Sequence, residues 1–404
     1  MATIQNPRTG PLADLRVIEL GSFIAGPFAG QLLADYGAEV IKVENTENGD
    51  PMRRWGINVD GESLWWPSIA RNKKSVAIDL HTDTGRDLVR KLAAEADVIL
   101  ENFRPGTLAR WGLSYDDLAA INPRIIVVHV SGFGQTGPRA TDAGFGSVGE
   151  AMGGIRFTTG DPENPPSRTG VSLGDSLAAM FAVIGTLSAV HERERSGRGQ
   201  EVDVAIYEAV AALMESSMAD FDIAGVLRGR TGSVLPGVAP SNVYPTSDGV
   251  EVLIAANADG VFRRLCGAMG RDDLADDPRF AEHGPRGERM AELDAMIGEW
   301  TSTMTGEDLL ARMEASGVPA GRIYTAADTL TDPHYAARDM VIRLLNSGGK
   351  QVPAPGVVPK FSRSTPATPV AGRELGADTD AVLQDVVGVD AETISQLRRD
   401  SVVR

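Results

Sequence analysis

Apolar positions in the first third of the chain switch repeatedly between two periods. Leu15-Arg16-Val17-Ile18-Glu19-Leu20 reads as a short strand, and Gly21-Ser22-Phe23-Ile24-Ala25-Gly26-Pro27 as the turn after it. Phe28, Leu32, Leu33 and Tyr36 then share a helical stripe, Gly37 ends it, and 39–44 reads as a second strand. Such a β-α-β unit implies a parallel pair joined by a right-handed crossover. The alternation continues with a strand at 75–79, a helix at 82–95 N-capped by Thr82 or Asp83, and strands at 98–100 and 125–130. Strands and helices in this register predict an α/β fold, a Rossmann-like open parallel sheet covered on both faces.

Residues 177–195 spell a long helix, almost wholly apolar until His191-Glu192-Arg193-Glu194-Arg195. A helix apolar all round is expected to be buried, and the run 177–190 is short for a bilayer crossing. A strand at 201–204 and a helix at 207–223 follow. Residues 225–240, rich in Gly, Pro and Arg, break the pattern and mark a boundary. The division is then 1–225 as a large α/β domain, 226–320 as a smaller α+β domain and 321–404 as a return segment completing the large one. The smaller domain holds a hairpin over 242–254 with Ser-Asp-Gly at its turn, and helices near 260–270, 286–302 and 306–316. A last helix is expected near 390–399.

Composition narrows the partners. Of 404 residues 42% are apolar and 23% charged, as in an ordinary globular protein. The net charge of −16 argues against nucleic acid, which demands a basic face. Cys266 is the only cysteine, so no disulfide forms within the chain. The five histidines show no metal-ligand spacing, so no metal is expected. Residues 1–10 are polar and lack the apolar run of a signal peptide; a cytoplasmic protein without a membrane segment is the expectation.

The first β-α-β unit tempts toward a dinucleotide site. Its glycines, Gly21, Gly26 and Gly30, do not match G-x-G-x-x-G, and Phe23 and Ile24 stand where bare backbone would meet pyrophosphate. No Gly-Lys-Ser/Thr follows the turn, so a P-loop is absent too.

Several strings, in order along most of the chain, resemble the class III CoA-transferases (the CaiB/BaiF family, which also holds the α-methylacyl-CoA racemases). They are Leu15 to Leu20 with Ala25-Gly26-Pro27; Asp35-Tyr36-Gly37-Ala38 with Glu39 to Glu44; Arg71-Asn72-Lys73-Lys74-Ser75; and Ala96-Asp97-Val98-Ile99-Leu100-Glu101-Asn102-Phe103-Arg104-Pro105-Gly106. Gly132-Phe133-Gly134-Gln135-Thr136-Gly137-Pro138, Gly174-Asp175-Ser176, Ser196-Gly197-Arg198-Gly199-Gln200, Asp276-Asp277-Pro278-Arg279-Phe280 and Gly317-Val318-Pro319-Ala320 follow. The resemblance implies a two-domain subunit closed into a ring, two of which interlock as a homodimer, with acyl-CoA and a small carboxylic acid as substrates and no permanently bound cofactor.

Asp175 follows Gly174 and opens the long helix. By its residues alone it reads as an ordinary helix cap; by the resemblance it is the family's nucleophilic aspartate, carried through an aspartyl-CoA thioester. The resemblance also implies CoA contacts at Ile24, Ala25, Asn102, Phe103, Arg104, Arg110, Gly144, Phe145 and Gly146. Arg104 and Arg110 suit phosphates, and each equally suits a solvated surface. Arg71, Lys73 and Lys74 form a small basic cluster able to meet a phosphate, and Arg53 and Arg54 are candidates for a distal carboxylate.

Departures from the family's branches sharpen the choice. Phe145 stands where the racemase branch places its histidine, and Phe cannot carry a proton. The segment Gly232-Ser233-Val234-Leu235-Pro236-Gly237 lacks the consecutive glycines of oxalate-using transferases. The 145–150 segment is closer to enzymes pairing succinyl-CoA with malate, mesaconate or citramalate. Alternatives are a racemase or epimerase of the same fold, and a non-catalytic CoA-binding protein. Glu150 and His129 read as structural groups, and Cys266 as a packed one.

Overall fold

The structure, a computed structural model, describes residues 9–404. It divides into two units, one of 157–168 with 227–332, and the other of the remainder.

The large unit is built on six strands: β1 (Arg16–Glu19), β2 (Glu39–Glu44), β3 (Lys73–Ala77), β4 (Val98–Glu101), β5 (Ile126–Ser131) and β6 (Glu201–Ala205). They form one wholly parallel sheet in the order β3-β2-β1-β4-β5-β6. Successive side chains feed opposite cores, as the two-residue period dictates. Val17, Val40, Val98 and Ile126 meet helix α1 (Ala25–Asp35) and the long helix on one face. Ile18, Ile41, Ile99 and Val127 meet α2 (Asp83–Ala94) and the C-terminal helices Thr379–Asp385 and Ala391–Arg399 on the other. Each such fully buried aliphatic chain contributes about 1.5–3 kcal/mol of transfer free energy. Thr82 is the N-cap of α2, its hydroxyl accepting from the Gly85 N–H at 3.0 Å.

The return segment covers the β3 edge, where an open strand would invite foreign pairing. Asp378 accepts from the Ser75 N–H at 2.9 Å, Thr379 from the Ala77 N–H at 3.1 Å, and Val403 bridges to Ile78.

The long helix departs from expectation twice. It runs Leu173–Ser196, 24 residues ending at left-handed Gly197, so it starts earlier and is long and apolar enough to cross a bilayer by length and composition. Ala178, Ala179, Ala182 and Ala189 press it on the sheet, yet Met180, Ile184 and Leu187 lie exposed, so it is not buried all round. The helix expected over 207–223 is also two pieces, Ile206–Ala211 and Ser217–Ala224, separated by a turn in which Glu215 is left-handed at φ 51°.

The small unit centres on an antiparallel sheet of Ser241–Pro245, Glu251–Ala255 and Ala320–Arg322. Because Ala320–Arg322 pairs with Glu251–Ala255, the chain re-enters the large unit at Pro333 rather than 321. Its core holds Arg286, fully buried, whose guanidinium donates to three carbonyls, of Ala239, Asn257 and Phe280, and to Asp259. Cys266 is packed in the same core, and burial pushes its thiol up to about 11.

Candidate active site

Strands β1 and β4 are neighbours whose onward connections run to opposite sides of the sheet, to β2 on one side and β5 on the other. In such sheets the crevice beyond the carboxyl ends of the strands at this reversal is where ligands sit. A cleft of about 120 Å³ opens there, between Leu20-Gly21-Ser22 after β1 and Phe103 after β4. One wall is aromatic: Phe103 meets Trp111 edge-on at 5.2 Å, and His81 meets the same indole at 6.2 Å. The polar floor is Lys42, Glu44 and Asp50. An aromatic wall over a charged floor accepts a flat ring carrying a polar tail.

The glycine turn beside the cleft is tied from below. Asn102 accepts from the Ser22 N–H and donates to the Ser22 carbonyl, both at 2.8 Å. A Cβ at Gly21 would meet that amide oxygen at 2.7 Å, which is why glycine precedes Ser22. Phe23 is left-handed at φ 64°, a costly conformation for an aromatic residue. Ile24 turns its side chain toward Met52, Trp66, Ile69 and Ala70, and Ala25, buried, starts α1.

Beneath this turn lies a buried ionic cluster. Lys42 Nζ sits 2.9 Å from Glu19, 2.8 Å from Asp50 and 2.8 Å from the Gly21 carbonyl. Burial works against the Lys42 ammonium, but Glu19, Asp50 and Glu44 outweigh it and hold the pKa above the usual lysine range. Burial likewise opposes the Asp50 carboxylate, and Lys42 with the Met52 and Phe23 N–H groups lowers its pKa nonetheless.

All three basic residues of the cluster expected to meet phosphate pair with carboxylates instead. Arg71 is buried and grips Asp35 through two nitrogens, at 2.7 and 2.6 Å. Lys73 is buried against Glu19 at 2.7 Å and the Pro27 carbonyl at 2.6 Å, and burial takes its pKa down to about 8. Lys74 pairs with Glu39. A buried ion pair gives up several kcal/mol if one partner is drawn away, so Arg71 and Lys73 are scaffold groups. Arg53 is also engaged, bidentate on Glu44 with both contacts at 2.7 Å and stacked on Trp66. Arg54, Arg104 and Arg110 are exposed, with Arg110 donating to Thr107 at 2.9 Å.

Asp175 stands in the first turn of the long helix, one residue past buried Gly174. Its carboxylate rests on the Cα of Gly146, where a Cβ would meet it at 2.3 Å. Only glycine permits that approach. Glu150, buried, accepts from the Gly174 N–H at 3.2 Å and pairs with Arg156 at 2.9 Å. Gly144 packs on Gly132 and the Phe133 ring, and Phe145 projects outward, 69% exposed. Asp175, Gly144, Gly146 and Glu150 therefore meet in one place. Asn102, Phe103, Ile24 and Ala25 gather in another, around the turn.

Lys42, Asp50 and Trp111 were not singled out from the sequence, nor was the pairing of Glu150 with Arg156. A signal existed for Lys42 alone: a charge inside Val40-Ile41-Lys42-Val43, an interior strand buried on both faces, must find a buried counter-charge.

The profile of CoA-transferase family III matches residues 12–379. The chain is 52% identical over its whole length, and the whole of the relative, to a Chloroflexus aurantiacus succinyl-CoA--D-citramalate CoA-transferase. It is 37% identical, over 99% of its length and 95% of the relative, to the alpha subunit of a C. aurantiacus succinyl-CoA--L-malate CoA-transferase. A CAIB/BAIF family protein from Brucella suis superposes with a TM-score of 0.83 at 37% identity, covering 94% of this chain and 100% of that one.

Proposed function

The chain belongs to CoA-transferase family III and is a CoA-transferase, and from that premise we propose that it moves CoA from succinyl-CoA to a small dicarboxylate, citramalate or malate, through a thioester on Asp175. The observation that carries this reading is the Asp175 carboxylate, in the first turn of a 24-residue helix, lying against the bare Cα of Gly146. The positive end of the helix dipole favours the ionised, nucleophilic form. The missing Cβ leaves room for a thioester carbonyl.

The chemistry balances without ATP. The Asp175 carboxylate attacks the thioester carbon, the C–S bond breaks, and CoA leaves as thiolate while the succinyl group stays on Asp175 as a mixed anhydride. The thiolate attacks the Asp175 carbonyl and expels succinate. The acceptor carboxylate then attacks the aspartyl thioester, expelling thiolate and forming a second anhydride. Thiolate attack on the acceptor's acyl carbon releases the new CoA ester and restores the Asp175 carboxylate. Water hydrolyses each intermediate if admitted.

In this reading the adenine lies against Phe103 and Trp111, with exposed Arg104 and Arg110 for the phosphates. A second copy of the chain, interlocked with the first, covers the Met180, Ile184 and Leu187 stripe, which a lone subunit leaves 50%, 57% and 38% exposed.

The test is incubation with succinyl-CoA and a panel of dicarboxylates, read by mass spectrometry of the CoA esters. Hydroxylamine added during turnover is expected to modify Asp175, and Asp175→Ala to lower transfer at least ~10³-fold. Undiminished transfer by that variant sinks the nucleophile.

A further inference from the structure

The turn over the cleft is held in a conformation it would not choose. Phe23 is left-handed at φ 64°, and its neighbours are tied by side chains from three places in the chain. Lys42, on β2, donates to the Gly21 carbonyl at 2.8 Å. Asn102, after β4, engages both backbone groups of Ser22. Asp50 accepts from the Phe23 N–H at 3.1 Å and from the Met52 N–H at 2.9 Å through one oxygen, and its other oxygen faces Lys42 at 2.8 Å. Lys42 and Asp50 are both essentially buried, 1% and 2% exposed. The Phe23 ring closes the arrangement edge-on against Trp55 at 5.7 Å. A strained residue persists only where its surroundings over-determine it, and such strain gathers where a ligand docks.

We propose that Lys42 and Asp50 are positioning residues: the pair holds Phe23 left-handed and so presents the turn in the shape against which CoA docks. This rests on the placement of CoA in the adjoining cleft. Lys42 and Lys73 are balanced by Glu19 and Asp50, so the pair adds no net charge to the site. What it supplies is geometry, a fixed acceptor for one amide and a fixed donor for one carbonyl.

The test is a double-mutant cycle in the full-length protein, read as the Kd of CoA and as kcat and KM for succinyl-CoA. Asp50→Ala removes the acceptor and is expected to raise Kd and KM at least ~10-fold with kcat within ~3-fold. Glycine adopts the left-handed region freely. In a Phe23→Gly background Asp50→Ala is therefore expected to cost no more than ~2-fold, coupling that a general loss of stability would not produce. Equal effects of Asp50→Ala in both backgrounds overturn the proposal. If Asp50→Ala does not fold, amide exchange in the unaltered protein decides: the Phe23 N–H is expected to exchange at least ~100-fold slower than an unstructured amide, and exchange at the free rate overturns it. Trp111→Ala separates this inference from its premise. Unchanged CoA affinity in that variant removes the cleft as the nucleotide site; weakened affinity without the Asp50–Phe23 coupling removes only the positioning role.

Discussion

The cleft beside β1 and the surroundings of Asp175 are built on opposite plans. At the cleft, backbone groups of Gly21, Ser22 and Phe23 are bound by side chains of the same chain, and the charges beneath form a network in which Lys42 meets both Glu19 and Asp50. Around Asp175 the floor is bare backbone at Gly144 and Gly146, and the flanking apolar chains Phe145, Val148, Met152, Met180 and Ile184 are uncovered. In the first region the turn is held from within the chain, although Trp55 beside Phe23 is 49% exposed. In the proposed homodimer the second copy packs on this surface.

That contrast is broken most directly at the uncovered stripe. If the proposed homodimer forms through this stripe, Ile184→Asp, on a side chain 57% exposed, is expected to leave the far-ultraviolet spectrum of the fold unchanged but yield a monomer and lower transfer ~10²-fold. Light scattering with a transfer assay checks both. A variant that stays monomeric and fully active removes the idea that Asp175 works within a dimer.

A smaller effect is expected inside the Asp175 region. Glu150 holds the Gly174 N–H and answers Arg156. Glu150→Ala is expected to lower kcat ~10-fold with KM for succinyl-CoA within ~3-fold, and Glu150→Gln, which keeps an acceptor for Gly174, to recover most of it. Steady-state kinetics on both variants decide. Equal losses assign the effect to the lost charge rather than to the hydrogen bond.

The smallest effect belongs to the closed side of the comparison. His129 on β5 is buried against Glu101, whose other oxygen accepts from the Phe103 N–H at 2.6 Å, and faces Glu201 at 3.2 Å. Burial lowers its pKa, but the two glutamates outweigh burial and hold it above the ordinary histidine value. A raised folded-state pKa means the native state binds the extra proton. That stabilisation is complete below the unfolded value of about 6.5 and disappears as pH climbs through the folded one. The Tm gap between the unaltered protein and His129→Gln is thus expected to narrow by about 1–2 °C between pH 6 and pH 9. A gap that widens reverses the assignment.

Much of the architecture was legible along the chain. Val17-Ile18, Val40-Ile41 and Val98-Ile99 alternate between two cores because a parallel sheet covered on both faces needs apolar residues on each. Asp175 is marked by the family resemblance; by its residues alone it reads as a helix cap, whereas Ser172 is the N-cap and Asp175 lies in the first turn. The basic cluster was misleading. Arg71 and Lys73 look like surface charge until Asp35 and Glu19, far back in the chain, are seen to enclose them. The long helix misled in the reverse sense, since its composition is apolar all round while its packing covers one side only.

The amino-acid order by itself determined most of the strands and helices, because hydrophobic period, caps and glycines act over a few residues. Only the tertiary structure decided which charges are spent and which remain exposed. It brought Lys42, Asp50 and Asn102 under one strained phenylalanine and laid Gly146 beneath Asp175. Ion pairs and close contacts between distant segments depend on strand order and register, and no local pattern encodes those.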